Sequence, residues 1–431
     1  MIEKITSYTL AGLFKSKSIQ NFIFLTTIQA SNIVITLISM PLLIQSIGVD
    51  QFGLVNLSLS VIILANILVG FGYNLSGPRD VALSQNDKES LSHLVSNIVF
   101  SKVLMALLAT LGIILAVFGL NMFREYQWIL LFSVLLLFSE ATLPLWFFQG
   151  LEKMKLISIA NVFSKLLYLL GIVLFIHAPE QSYWVNFILG ASALGINILL
   201  LLFIHFQMDI KFYKPKLGQL FASLRENGLL FLSNIATHIS INGGLIILSF
   251  FSSAEILGMF SLAEKIAMVL RMFPSMVIHS VYPNASRLLE SDLPQFVHFI
   301  RKVYLFTLLL GMVASLFVFG LAPFIIKLLA RKELTEAVAY LKVLSFVPFL
   351  ACLNIANVVI LLAKDQKSII FKSSWMMGIF MLLTSVPLTY SYGALGLGFA
   401  LLLTEIAVFF ICCFLNWYYN KKLILRILKL L

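Results

Sequence analysis

The chain alternates long apolar runs with short polar connections. Twelve runs approach or exceed the roughly 20 mostly apolar residues that a helix needs to cross the hydrocarbon of a bilayer. They fall at about 21–44, 53–75, 97–120, 127–148, 156–177, 184–206, 229–251, 258–282, 303–326, 338–362, 369–390 and 395–417. The longest connection, about 207–228, is too short for a folded domain. The pattern predicts an all-α polytopic membrane protein with twelve transmembrane helices. The first run follows Ser16-Lys17-Ser18 and exceeds the roughly 7–15 apolar residues of a signal core, so it is expected to stay as an uncleaved span.

Composition narrows the class further. Of 431 residues, 60% are hydrophobic and 11% charged, against the roughly 25% charged of a soluble domain. No water-soluble fold of this size buries so much apolar surface, which excludes a soluble enzyme and a disordered chain. Three cysteines make no disulfide framework, and Cys412 and Cys413 read as small hydrophobes within an apolar run. The net charge of +11 is explained by position. With the N-terminus inside, 21 Lys and Arg fall in inside segments. Four fall outside, namely Arg124, Lys327, Arg331 and Lys332, which leaves 30 − 21 − 4 = 5 within spans. Such an excess places both termini in the cytoplasm and calls for no nucleic acid partner. The tail from Lys421 to Lys429 is basic and amphipathic and is expected on the cytoplasmic leaflet.

An internal repeat is visible. Val49-Asp50-Gln51-Phe52-Gly53-Leu54-Val55-Asn56-Leu57-Ser58 aligns with Ala254-Glu255-Ile256-Leu257-Gly258-Met259-Phe260-Ser261-Leu262-Ala263, and the same offset of 258 − 53 = 205 carries Pro78 onto Pro283. Glu152-Lys153-Met154-Lys155 and Lys364-Asp365-Gln366-Lys367 form a second matched pair of charged hinges. Spans one to six then repeat as seven to twelve. An even number of spans makes the repeat parallel, with a pseudo-two-fold along the membrane normal. Two six-helix bundles are expected, 1–207 and 208–431, the second carrying the basic tail, with a cavity between them.

Several motifs carry a family resemblance. Pro41-Leu42-Leu43-Ile44-Gln45-Ser46-Ile47-Gly48-Val49-Asp50-Gln51-Phe52-Gly53-Leu54 resembles the first hairpin of Wzx-type polysaccharide-unit flippases of the multidrug/oligosaccharidyl-lipid/polysaccharide exporter superfamily. Gly70-Phe71-Gly72-Tyr73-Asn74, Gly77-Pro78-Arg79-Asp80-Val81-Ala82 and Trp146-Phe147-Phe148-Gln149-Gly150-Leu151-Glu152-Lys153-Met154 resemble that family's end of span two, first cytoplasmic loop and end of span four. The resemblance implies a MATE-like fold in the bacterial inner membrane. It also implies translocation of undecaprenyl-diphosphate-linked oligosaccharide for O-antigen or another surface polysaccharide, with membrane lipids, a polysaccharide polymerase and a chain-length regulator as partners.

Ionisable residues at membrane depth are costly and therefore functional candidates. Glu140 and Lys165 lie roughly 12–14 Å deep in adjacent antiparallel spans and are positioned to pair, as a structural bridge or beside a substrate. Glu264, Met268, Arg271 and Ser275 share one stripe of span eight. Glu264 and Arg271 are about 10 Å apart along it, so each needs another partner, water or a ligand. Arg271 suits a diphosphate, because guanidinium donors are planar and stay charged. A partner on a neighbouring span is the competing reading. Lys102 is expected to snorkel toward the cytoplasmic interface or to capture the diphosphate there, and Lys265 and Lys342 to snorkel or pair. Glu405, deep in span twelve, is a candidate for the coupling ion or a hydrogen-bonded structural acid.

Polar stripes complete the candidate cavity. Gln29, Asn32, Thr36 and Ser39 share one face of span one. Asn234, His238 and Asn242 share one face of span seven, its repeat mate. Such faces avoid lipid and suit either a hydrated sugar wall or interhelical hydrogen bonds. The six histidines show no HxxxH spacing and no GxxxxGK[ST] motif occurs, so no metal, cofactor or ATP hydrolysis is expected. The leading function is lipid-linked oligosaccharide flipping by alternating access. A multidrug-type small-molecule exporter is the alternative, disfavoured by five intramembrane Lys and Arg against three acids. A membrane polymerase or ligase ranks lower, since the outside loops are short.

Overall fold

In a computed structural model, residues 17–120, 123–364 and 366–430 are described. Hinge residue Asp365, the N-terminal residue Lys15 and the side chain of Lys429 fall outside that description. The described chain is helical, with no strand, as expected where backbone polar groups have no water to bond and must satisfy one another along the chain. The helices are α1 Lys17–Gly70, α2 Tyr73–Ser84, α3 Lys88–Ile114, α4 Gln127–Ser133, α5 Leu135–Thr142, α6 Leu145–Gly150, α7 Met154–Phe175 and α8 Ser182–Gln207. They continue as α9 Leu217–Asn242, α10 Gly244–Ser249, α11 Ala254–Ser291, α12 Leu293–Ala330, α13 Thr335–Leu344, α14 Val347–Leu353, α15 Ile355–Ala363 and α16 Lys367–Leu430.

Eight helical stretches among the described residues are long and apolar enough to cross a membrane. Two of them, Ile23–Ser84 and Ser368–Arg426, run 62 and 59 residues. That is roughly 90 Å of helix at 1.5 Å per residue, three times the hydrocarbon thickness, so each holds more than one crossing. The breaks are glycines. Gly48 (φ 84°, ψ 168°) lies between the first two apolar runs, and Gly393 (φ 59°, ψ −140°) between the last two. Both lie in the positive-φ region that suits glycine. Helix α11 carries Glu264, Lys265 and Arg271 within little more than two turns.

The chain divides into two compact units. The first comprises 1–47 and 61–234, the second 48–60 and 235–431. In the first, the motifs singled out in the sequence pack on one another. Gly77 of α2 lies under Trp146 of α6, where an added Cβ would come within 3.1 Å of the tryptophan Cβ. A Cβ on Gly150 would stand 2.6 Å from both the Pro78 carbonyl oxygen and the Val81 Cβ. Gly72 turns the chain into α2 in a left-handed conformation (φ 84°), Phe71 stacks on Phe231 at 4.4 Å, and the Tyr73 hydroxyl bonds Ser223 at 2.8 Å. Tyr73, Trp146, Phe147 and Phe148 anchor the core of this end of the unit. Asp87 caps α3 by accepting from the Glu89 amide, and the Ser90 hydroxyl and that amide hold its carboxyl below the usual range.

The fourth and tenth apolar runs break alike. The fourth is divided into α4, α5 and α6, with interruptions at Val134 and at Leu143-Pro144. The tenth is divided into α13, α14 and α15, with interruptions at Ser345-Phe346 and at Asn354. The hinge offset, 364 − 152 = 212, carries Val134 onto Phe346 and Leu143 onto Ile355. Each broken run is tied by asparagines to the second run after it. In the first unit, Asn186 donates to Ser133 Oγ and Asn197 to the Ser139 carbonyl, both at 2.9 Å. In the second, Asn354 donates to Cys412 Sγ at 3.5 Å, Asn357 to Cys413 Sγ at 3.3 Å, and Asn416 to the Asn357 carbonyl at 3.3 Å. Cys412 and Cys413, read from sequence as small hydrophobes, are thus acceptors in a polar seam.

A close backbone approach in the second unit joins α1 to α11. A Cβ on Gly258 would collide with the Val49 carbonyl oxygen, and one on Gly53 with the Gly258 nitrogen. Only hydrogen fits at either position. Gly258→Ala is therefore expected to lower stability by about 1–3 kcal/mol through overpacking. Gly112→Ala, where no atom lies within 4 Å, should be neutral or stabilising. Apparent Tm of the detergent-purified protein checks both.

Candidate functional site

Three ionisable side chains from distant parts of the chain meet inside the second unit. Glu264 and Arg271 project from one stripe of α11, and Glu405 comes from α16. The Arg271 guanidinium donates to the Glu405 carboxylate in an ion pair, with Glu405 buried. Glu264 lines the same pocket, together with Ser240 of α9, Met268 and Thr404. The Ser240 and Thr404 hydroxyls donate within their own helices, to Ala236 and Ala400, which leaves their oxygens to accept from whatever enters. Leu344, Val347 and Leu401 close the apolar side. The free space among these groups is about 20 Å³, enough for one water and far too little for a diphosphate.

With all three groups ionised, the cluster carries one net negative charge. A buried Arg–carboxylate pair is tolerated because each ion meets the other's charge, and breaking it strands a charge in low dielectric. Lys265, next to Glu264 on α11, interacts electrostatically with it and brings a further positive charge to this part of the helix. The sequence placed Glu264 and Arg271 on one stripe and left Glu405 unattached. The fold supplies the partner that Arg271 required, from 405 − 271 = 134 residues away.

A second buried pair lies in the first unit. Lys102 of α3 is completely buried and meets Glu140 of α5 at 3.5 Å. This corrects the expectation that Lys102 snorkels, because its ammonium is held inside by the Glu140 carboxylate. Lys165 of α7 is half-buried and has interactions of its own, while Lys265 is half-buried on α11.

Each polar stripe stays on a single helix, the first on α1 and the second on α9. On α1, Gln29 is exposed and Asn32 half-buried, its Oδ1 without a hydrogen-bond partner among the described residues. Thr36 donates to the Asn32 carbonyl at 2.7 Å. Asn234 belongs to the first unit, whereas His238 and Asn242 belong to the second, where Asn242 Nδ2 lies 3.4 Å from His238 Nδ1. Sequence reasoning missed Ser240 and Thr404 at the charged pocket, and the asparagines at 186, 197, 354, 357 and 416. The available signal was a lone asparagine within an apolar run, which at membrane depth must find a partner. No group of three or more metal-ligating side chains occurs among the described residues.

Comparison with known proteins follows the same lines. A family model described as "Polysaccharide biosynthesis protein" matches residues 18–289. A protein of Escherichia coli (strain K12) named "Putative O-antigen transporter" is 25% identical over 390 residues, covering 90% of this chain and 94% of its own. A Shigella dysenteriae protein of the same name is 25% identical over 401 residues, covering 90% and 97%. Among solved structures, an inward-facing multidrug resistance MATE family transporter of the MOP superfamily aligns with a TM-score of 0.67 at 14% identity, covering 95% of this chain and 98% of its own. The lipid II flippase MurJ, in an inward closed conformation, aligns with a TM-score of 0.68 at 12% identity, covering 94% and 90%. These two share the fold.

Lys102→Met strands the Glu140 carboxylate and is expected to destabilise by about 3–5 kcal/mol. Lys102→Met combined with Glu140→Leu should recover most of that loss. A double-mutant cycle on apparent unfolding free energy in detergent reads the coupling.

Proposed function

The chain belongs to the polysaccharide biosynthesis protein family, and we propose that it flips undecaprenyl-diphosphate-linked oligosaccharide repeat units across the bacterial inner membrane by alternating access. Twelve spans in two six-helix halves, 1–207 and 208–431, underlie this reading, with both termini in the cytoplasm. The matched breaks of the fourth and tenth runs support the repeat, as does the contact between Gly53 and its repeat mate Gly258, since residues exchanged by a two-fold axis touch only beside it. A polysaccharide polymerase and a chain-length regulator act on the delivered units.

The observation that carries the mechanism is the Arg271–Glu405 pair with Glu264 beside it. Arg271 has two alternative anions, the Glu405 carboxylate and the substrate diphosphate. Its planar donors suit either. When Arg271 turns to the diphosphate, Glu405 and Glu264 lose their shared counter-charge, and a proton or sodium ion takes its place. Return of that cation to solution restores the internal pair and releases the diphosphate. Ion and substrate are thus taken up and released together through one guanidinium, so neither leak runs alone. Lys102, Glu140, Lys165, Gln29, Asn32, Asn234, His238 and Asn242 remain cavity candidates in this reading, and Glu405 the coupling residue.

The two carboxylates that line the Arg271 pocket also support a second reading, export of a small cation. Cells lacking the gene, with the rest of the glycan pathway intact, separate the two. The flippase reading expects accumulation of complete, unpolymerised undecaprenyl-diphosphate oligosaccharide by lipid mass spectrometry. Wild type should restore the polymer, and Arg271→Ala and Glu405→Gln should each lower restoration at least tenfold at equal membrane abundance. Normal lipid and polymer levels together with new sensitivity to cationic drugs would favour the exporter.

A further inference from the structure

The proposed transport uses nothing on the outer surface of α12, yet that surface is organised. A groove of about 610 Å³ lies where α11 ends and α12 begins, lined by Leu288, Pro294, Gln295, His298, Phe299 and Lys302. The amide end of α12 is already capped, since the Asp292 carboxylate accepts from the Gln295 N–H at 3.0 Å. The polar side chains of the groove are therefore its available recognition groups. His298 and Lys302 are exposed and stand four residues apart, hence on one helix face.

That face continues as an apolar strip. Leu305, Leu309 and Leu316 follow Lys302 at helical spacing and are 55%, 66% and 53% exposed. At the far end of the helix stands Lys327, paired with Glu333. Lys302 and Lys327 are 25 residues apart, about 38 Å along the axis. This approaches the roughly 40–45 Å between the two headgroup layers of a bilayer. The groove thus sits at headgroup level, with the strip below it at acyl-chain depth.

The surrounding charge is positive. Helix α16 is interrupted at Asn420 (φ −122°, ψ 26°). Leu423 and Ile424 beyond it pack on the same apolar cluster as Leu288 and Phe299. The exposed Lys421, Lys422 and Arg426 are thereby carried to this end of the unit. The nearby acids are Glu290 and the capping Asp292.

We propose that this groove is a binding site for an anionic glycerophospholipid of the surrounding leaflet. The lipid phosphate takes Lys302 and His298, the Gln295 amide takes a glycerol or ester oxygen, and one acyl chain lies along Leu305 and Leu309. An amphiphile fits because the site is basic at one level and apolar at the next. A soluble anion would use only the first. Naming the leaflet as the inner one rests on the membrane orientation proposed above; the binding does not depend on what the protein transports.

The test uses full-length protein reconstituted in nanodiscs of phosphatidylglycerol and phosphatidylethanolamine, then solubilised for mass spectrometry of retained lipid. Wild type is expected to retain phosphatidylglycerol preferentially. His298→Gln with Lys302→Gln should lower that preference ~10-fold or more, given about fivefold for each basic side chain near a lipid surface. Lys302→Arg should preserve it. Lys302→Gln alone gives a smaller loss and serves if the double variant does not fold. No preference in wild type, or an unchanged preference in a folded Lys302→Gln variant, overturns the site. Displacement of phosphatidylglycerol by equimolar undecaprenyl diphosphate overturns the resident-lipid assignment and makes the groove a substrate-capture site. Failure of the cellular flipping experiment leaves these readouts untouched, so the two proposals fail separately.

Discussion

A polar group inside a bilayer has no water to bond, and the rest of this structure depends on that constraint. It makes the described chain helical and decides where helices are allowed to break. The fourth and tenth runs each break twice, and both are tied to another helix by asparagine amides, donated to the run by Asn186 and Asn197 in one unit, and donated from the run by Asn354 and Asn357 and to it by Asn416 in the other. A side chain that cannot satisfy itself locally becomes an interhelical tie. The two halves of the sequence reach this solution with different residues, serine in one place and cysteine in the other, because the requirement is for an acceptor and not for a particular side chain.

The same constraint acts more strongly on charge. Lys102 and Glu140 neutralise one another across two helices, with the ammonium fully enclosed. Arg271 and Glu405 do likewise, and Glu264 in the same pocket has Lys265 beside it on α11. The first arrangement is closed: one cation meets one anion. The second sets two carboxylates near one guanidinium, with little free space and the Ser240 and Thr404 hydroxyls on its wall. A change of partner at Arg271 would alter the charge left in the pocket. This gives the proposed transport its link between ion and substrate.

Glycine does complementary work. Gly48 and Gly393 break two helices too long for a single crossing, and Gly53 and Gly258 let two backbones meet where a methyl group has no room. The motifs of residues 70–82 and 146–154, noticed as separate strings, prove to be parts of one packed junction. Their glycines lie under Trp146, Pro78 and Val81. What looks like a functional signature along the chain is in this region an account of close packing.

The sequence by itself determined the membrane class, the all-helical architecture, most of the apolar runs and the motif resemblance, because these depend on hydrophobicity and spacing along the chain. It also picked out Lys102, Glu140, Glu264, Arg271 and Glu405, since charge at membrane depth is conspicuous in any apolar run. Only the tertiary structure decided the pairs. Lys102 turned inward to Glu140 rather than toward the interface, and Arg271 found Glu405 on a helix far along the chain. Helical periodicity says which way a side chain points from its own axis. It does not say which helix stands opposite, and an ion pair is made by the helix opposite.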